Sequence, residues 1–379
     1  MPLRLPFTRV HLTGREADYI ARVMEANHFA GDGPFTSRCE AWLQQTIGST
    51  RALLTHSGTA ALEMAAILSG VGEGDEVIMP SFTFSSTANA FVLRGARPVF
   101  VDIDRRTLNI DPAAVAAAVT SRTRAIVPVH YAGEAADMDA LESIARDAGA
   151  MIIEDAAQAL LSSHQGRFLG SIGTMGALSF HQTKNVASGE GGALLINDPN
   201  LVERAEIVRE KGTNRSRFHR GEVDKYTWVD IGSSYLPGEL IAAFLFAQLE
   251  QAESITAKRL ALWDRYHAAL EWLEQEGRLV RSASRGNGHI YYVLLRSIEE
   301  RTEVIDALRG KGIYAVFHYV PLHSAPAGIR YGRSSGTLNV TDDVSARLLR
   351  LPLWPDMTDD DVDVVAQALA VALRTVTTT

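Results

Sequence analysis

Between roughly residues 50 and 200 the chain repeats one pattern: a short apolar run, a helical segment, then another apolar run. The runs are Ala52–Thr55, Glu76–Met79, Pro98–Asp102, Ala125–Val129 and Met151–Ile153. They are too short for helices and lack the alternation of a strand that faces water on one side. A strand apolar along its length must be covered on both faces. Helices read between the runs over Ala60–Leu68, closed by Ser69-Gly70; over Ser86–Leu93, with Gly95 as C-cap; from Pro112, at a first helical turn; and over Met138–Ala148. The pattern predicts an α/β fold with a mostly parallel central sheet and helices on both faces. In such sheets ligands collect at the carboxyl ends of the strands, where Thr55, Pro80, His130 and Asp155 stand.

The C-terminal part reads differently. Helical periodicity runs from Glu239 toward Leu273, strands are expected at Ile290–Leu295 and Ala315–Val320, and helices at Glu303–Arg309 and Thr358–Leu373. This divides the chain into a large domain with its N-terminal segment (1–236) and, from 237 to 379, a long linking helix with a small α+β domain. Thr375–Thr379 reads as a frayed tail. The net charge of −8 argues against general nucleic-acid binding. The one cysteine, Cys39, forms no intramolecular disulfide, which fits a reducing compartment. No export signal and no apolar run long enough to span a membrane is read, so a cytoplasmic location is expected, with no membrane partner and no metal.

The chemistry concentrates in three places. Ser57-Gly58-Thr59 joins a strand to a helix start, where free N–H groups and the dipole favour a phosphate dianion. Taken alone, it is better explained by a plain N-cap. Asp155 follows a strand in Glu154-Asp155-Ala156-Ala157-Gln158. Lys184 ends the run Leu178-Ser179-Phe180-His181-Gln182-Thr183-Lys184 ahead of the glycine-rich Ser188-Gly189-Glu190-Gly191-Gly192. An amine at a pocket floor suits a Schiff base with a carbonyl, and an acid beneath a pyridine ring keeps its nitrogen protonated. Together they point to pyridoxal 5'-phosphate (PLP). Gln158 is a candidate for the ring's phenolic oxygen, Phe84 for stacking on the ring, Ser179 for the phosphate and His181 for proton movement.

These motifs resemble the DegT/DnrJ/EryC1/StrS sugar aminotransferases, PLP enzymes of fold type I. The resemblance lies in Ser57–Leu62, Glu154–Gln158, Ser179–Asn185 and Gly189–Gly192, and covers almost the whole length. It implies Lys184 as the Schiff-base lysine, Asp155 as the pyridinium partner, Gln158 near the ring hydroxyl, Phe84 stacking, and Ser57, Gly58, Thr59 and Ser179 around the phosphate. It also implies a homodimer with shared sites, to which Ser234 in Gly232-Ser233-Ser234-Tyr235-Leu236 contributes where many relatives have asparagine. Within the family the chain looks most like the transaminases acting at C4 of dTDP-linked sugars. Supporting stretches are Gly31-Asp32-Gly33, Pro80–Phe91, Glu210–Ser216 and Phe317–His323.

The expected reaction takes an amino group from L-glutamate, releasing 2-oxoglutarate, and delivers it to C4 of a dTDP-4-keto-6-deoxyhexose. The loop holding Arg209, Lys211, Arg215, Arg217, Arg220 and Lys225 is expected to meet the diphosphate, with Tyr226 or Trp228 over the base and His318 and His323 along the sugar. Rival readings are amination at C3, a PLP-dependent sugar dehydratase, and a PLP-binding regulator. Lys184 argues against the dehydratases, which typically carry histidine there. The complete catalytic set, without a DNA-binding helix, argues against the regulator.

Overall fold

The computed structural model describes residues 4–376. Its central sheet has eight strands: β1 (Arg51–Thr55), β2 (Glu76–Pro80), β3 (Arg97–Val101), β4 (Thr123–Ile126), β5 (Met151–Asp155), β6 (Met175–Ser179), β7 (Gly192–Ile196) and a short edge strand, β8 (Arg333–Ser334). Their order is β1-β7-β6-β5-β4-β2-β3-β8. All neighbours pair in parallel except β7, which is antiparallel to both β1 and β6. The fold is thus α/β with a mostly parallel sheet, as the apolar runs required.

Each sheet face carries its own core. One packs Leu54, Ile78, Ile126 and Leu195 beneath the helices at Pro34–Ile47, Met138–Ala148 and Glu239–Leu249. The other packs Leu53, Val77, Ile153 and Leu194 beneath Gly58–Leu68 and Ser85–Val92. The helix Gly58–Leu68 is buried along most of its length. That is why it reads as apolar all round rather than amphipathic. Helix starts are fixed locally: Ser57 accepts from the Ala60 N–H, Asp111 from Ala113 ahead of Pro112, and Asp137 from Ala140.

A third core lies in the C-terminal part. Strands Val280–Arg281, Tyr291–Leu294 and Leu348–Leu351 form an antiparallel sheet against helices Ile298–Gly310 and Asp359–Val376. Leu5, from the other end of the chain, is buried with them.

Three expectations are corrected. The stretch from Glu239 is not one helix but three: Glu239–Leu249, Ala252–Ala269 and Glu271–Gln275. The first buries Ala242 and Leu245 in a core of the large sheet; the second buries Leu262, Trp263 and Tyr266 in the C-terminal core. Apolar periodicity continues across the break because both halves bury a face, but against different cores. Ala315–Val320 is not a strand; it makes one bridge, Val316 to Arg350, and then carries His318 and Tyr319 to the site below. The last helix runs to Val376 and includes Thr375, whose hydroxyl donates to the Val371 carbonyl at 3.0 Å. Residues 377–379 of the expected tail lie outside the described residues.

The edge strand β8 is locked by a buried acid. Arg333 donates two hydrogen bonds, 3.0 and 2.8 Å, to Glu76 on β2, which also accepts from Thr120 and Arg122. The Arg333 bonds lead in holding the Glu76 carboxyl down to about 2. A depressed acid pKa stabilises above its unfolded value and is lost as pH falls toward the folded one. Glu76→Gln is expected to cost roughly 2 kcal/mol near neutral pH. It is also expected to flatten acid unfolding between about pH 4.5 and 2, as read by denaturant melts across that range.

Candidate active site

The carboxyl end of the sheet opens into a cavity of about 540 Å³. One corner is the β1-to-helix turn. Ser57, Gly58 and Thr59 line it, with Thr59 Oγ1 sharing a 2.7 Å hydrogen bond with Ser86 Oγ. Two glycines set how closely the backbones meet here. A Cβ on Gly58 would lie 2.8 Å from the Cβ of Ser179, and one on Gly192 would lie 2.4 Å from the Ser57 carbonyl carbon. The turn therefore nests against the ends of β6 and β7, and the helix start is held facing the cavity.

Asp155, at the end of β5, is buried, and its carboxylate is oriented from two sides. Oδ2 accepts from the Thr87 hydroxyl at 2.7 Å, and Oδ1 from the Ala157 N–H at 3.2 Å. Thr83 supports Thr87 through a 2.8 Å hydroxyl contact. Lys184 lies in the loop that joins the antiparallel strands β6 and β7. That loop is closed by Phe180 N–H to Gly191 O and Gln182 N–H to Gly189 O, both 2.8 Å, and by Lys184 N–H to His181 O, also 2.8 Å. The amine enters the same cavity as Asp155. Its side chain keeps some open surface but is surrounded by protein. Desolvation lowers its pKa to about 8; attraction to Asp155 opposes the shift and Arg350 adds to it. Near neutral pH a useful fraction of this lysine is a free amine.

Gln158 and Phe84 line the cavity as well. Gln158 is fixed at both ends of its amide: Oε1 accepts from the Ala132 N–H and Nε2 donates to the Tyr319 hydroxyl, each at 2.8 Å. Phe84 is 60 % exposed at the rim, so one ring face is open to a planar ligand. His181 sits nearby, its Nδ1 2.8 Å from the Thr183 hydroxyl and its Nε2 3.7 Å from Glu190.

The opposite wall comes from the C-terminal part and was largely missed in the sequence. His289, Tyr319 and Arg350 line it beside His318, which was anticipated. His289 Nδ1 is 2.9 Å from Asn185 Oδ1, and His318 Nδ1 is 3.0 Å from the Tyr131 hydroxyl. Burial holds both imidazoles well below their ordinary pKa, so both are neutral. One signal was available for Arg350: a charge interrupting the apolar run Leu348-Leu349-Arg350-Leu351.

Other expected residues are not brought to this cavity. His323 pairs with Ser81 Oγ at 2.8 Å and faces Asp342 at 3.4 Å. Ser234 is exposed and bridges to Glu210. Lys211 and Arg215 are turned to Glu210, at 3.3 and 3.6 Å, and Tyr226 packs edge-on against Phe218. The basic loop is less basic than its sequence suggests, because Glu203, Glu206, Glu210 and Glu222 neutralise it locally. Arg209 is not in the loop at all. It is buried and paired with Asp32 and Glu40. Among the described residues no cluster suited to a metal ion occurs, and no helix is long and apolar enough to cross a membrane.

Comparison with known proteins places this geometry. Residues 11–370 match the model of the DegT/DnrJ/EryC1/StrS aminotransferase family. The spore coat polysaccharide biosynthesis protein SpsC of Bacillus subtilis (strain 168) is 34% identical, with 96% of each chain covered. The aminotransferase TlmJ from Streptoalloteichus hindustanus superposes with a TM-score of 0.90 at 29% identity, over 98% of this chain and 100% of that one. The putative sugar aminotransferase Spr1654 from Streptococcus pneumoniae, in its PMP form, gives 0.90 at 26% identity, over 99% and 98% of the two chains.

Proposed function

The chain belongs to the DegT/DnrJ/EryC1/StrS aminotransferase family, whose cofactor is PLP, and from that premise we propose that it moves an amino group from L-glutamate to C4 of a dTDP-4-keto-6-deoxyhexose. The product would be a dTDP-4-amino-4,6-dideoxyhexose. One observation carries the reading: a partly neutral lysine amine shares one cavity with a buried, doubly oriented carboxylate and with a helix start.

The residues present fit the cofactor. The Ser57–Thr59 turn and Ser179 would hold its phosphate, Asp155 its ring nitrogen, Gln158 the side of its phenolic oxygen, and Phe84 its ring face. When bound, PLP supplies an exchangeable carbonyl and an electron sink. Lys184 Nζ then takes the proton from the donor's α-carbon and returns it on the other side of the exchange. His181, at the same edge, steadies a substrate oxygen or passes a proton. Thr87 keeps the Asp155 carboxylate aimed without neutralising it. A second subunit would complete the site, with Ser234, Lys211, Arg215 and Tyr226, all exposed here, turned toward the partner's cavity and the sugar nucleotide.

The test is incubation with dTDP-4-keto-6-deoxyglucose and L-glutamate, with NMR of the product. Amine at C4 supports the proposal; amine at C3, or loss of hydroxyl without amination, overturns it. A structural prediction accompanies it. Gly192→Ala is expected to weaken PLP binding at least about tenfold, because backbone atoms of the phosphate turn occupy the new methyl's place. Spectrophotometric titration of the apo-protein measures this, and unchanged affinity would show that the turn can yield.

A further inference from the structure

Arg350 is the one cationic group in the cavity whose charge the reading above leaves unused. It lies on the strand Leu348–Leu351, is 9% exposed, and lines the cavity with Lys184, His318 and Tyr319. Among the described residues its guanidinium makes no ion pair and no side-chain hydrogen bond, and its Nε is buried without a partner. Its nearest support is the ring of Phe7, 4.5 Å from Cζ, together with the electrostatic influence of the Tyr131 and Tyr319 hydroxyls. The other buried arginines, Arg209 and Arg259, have partners for their guanidinium groups, although the Nε of Arg209 is also buried without one. Arg209 holds two carboxylates, and Arg259 three backbone carbonyls, those of Gly288, His289 and Leu353.

A charge taken out of water needs a counter-charge or a full set of hydrogen bonds. Among the described residues Arg350 has neither, yet it lines the cavity that holds Lys184 and Asp155. The flanking groups point the same way. His289 and His318 are neutral, so they do not compete for an anion, and the hydroxyls of Tyr131 and Tyr319 are protonated. A planar guanidinium fork matches the two oxygens of a carboxylate, and one buried positive charge is balanced by one negative charge.

We propose that Arg350 is a carboxylate-binding residue of this site, seating a substrate carboxylate against the wall contributed by the C-terminal part of the chain. The inference rests on the aminotransfer reading for its substrates but not for its ligand chemistry. Two sources fit: the amino donor and its oxo acid, or an acidic group on the keto acceptor.

The test uses PLP-loaded enzyme and glutarate, a dicarboxylate with neither amine nor ketone. Calorimetric titration compares wild type with Arg350→Met and Arg350→Lys. Binding is expected to weaken at least about tenfold in Arg350→Met and less in Arg350→Lys, which keeps the charge but loses the fork. The cofactor's visible band and the melting temperature should be retained, since replacing an unpaired buried charge by an apolar side chain of similar length removes a strain rather than a support. Equal glutarate affinity in Arg350→Met, or no binding by wild type, overturns the proposal. So does a fall in melting temperature with unchanged affinity, which would make Arg350 a structural partner of Phe7. Single-turnover reactions separate the sources. A defect confined to L-glutamate assigns the donor, and one confined to the acceptor assigns an acidic acceptor. Should the enzyme fail to aminate any sugar nucleotide, the glutarate titration still reads Arg350 alone.

Discussion

Lys184→Ala is expected to reduce turnover by at least about 10³-fold and to abolish the visible absorbance that the PLP-loaded wild type shows. No neighbour replaces the amine. His289 and His318 are neutral and buried, and both are held by hydrogen bonds to Asn185 and Tyr131. Arg350 retains its proton at any working pH. Added methylamine should restore part of the rate, because the missing function is a small base at one point in the cavity. The wild type carries a pH signature of the same group. With a pKa of about 8, lowered by burial, Lys184 is mostly protonated below that pH and mostly free above it. Capture of PLP by the apo-protein should therefore rise about tenfold per pH unit below that value and level off above it. A capture rate that stays flat between about pH 6 and 9, or an alanine variant with full turnover, contradicts the assignment.

Asp155→Asn is expected to lower the rate of the glutamate half-reaction by about 10²–10³-fold while leaving stability nearly unchanged. The amide oxygen can still accept from the Ala157 N–H, while its NH2 donates to the Thr87 hydroxyl, which turns its own proton to Thr83, so both contacts survive with one direction reversed. What disappears is the charge proposed to keep the cofactor's ring nitrogen protonated. Asp155→Ala adds a second effect. It removes the acceptor of both Thr87 and the Ala157 N–H, leaving Thr87 only its contact with Thr83, at a cost of roughly 1–3 kcal/mol, so this variant should melt earlier as well as react slowly. Stopped-flow half-reactions and thermal melts on the pair separate charge from support. An asparagine variant as fast as wild type would mean that the carboxylate serves only to hold Thr87 and its neighbours.

The parts legible before the fold was known share one property: their evidence is local. Ser57-Gly58-Thr59, Asp155-Ala156-Ala157-Gln158 and the Ser179–Gly192 segment each carry their chemistry within one short stretch, beside a strand end marked by apolar composition. The parts not legible depend on distant packing. Arg350 and His289 reach the cavity only because the strand Leu348–Leu351 and the residues ahead of Tyr291 fold back toward the sheet's carboxyl end. Residues 209–225 read as more basic than they are. Counting basic residues overlooked the four glutamates that neutralise them, and Arg209 is drawn into the core by Asp32 and Glu40, acids more than 160 residues away.

The amino-acid order alone determined a twice-covered, mostly parallel sheet, and with it the edge at which an amine, a carboxylate and a phosphate-type turn would gather. Burial of continuous apolar strands admits few other arrangements, and turn glycines act where they stand. Only the folded chain decided which residues close the far side of that space, which histidines stay neutral, and which arginine is left facing it without an anion. Those outcomes follow from how separate cores dock, and from the desolvation each side chain meets there, and neither is written in the neighbourhood of the residue itself.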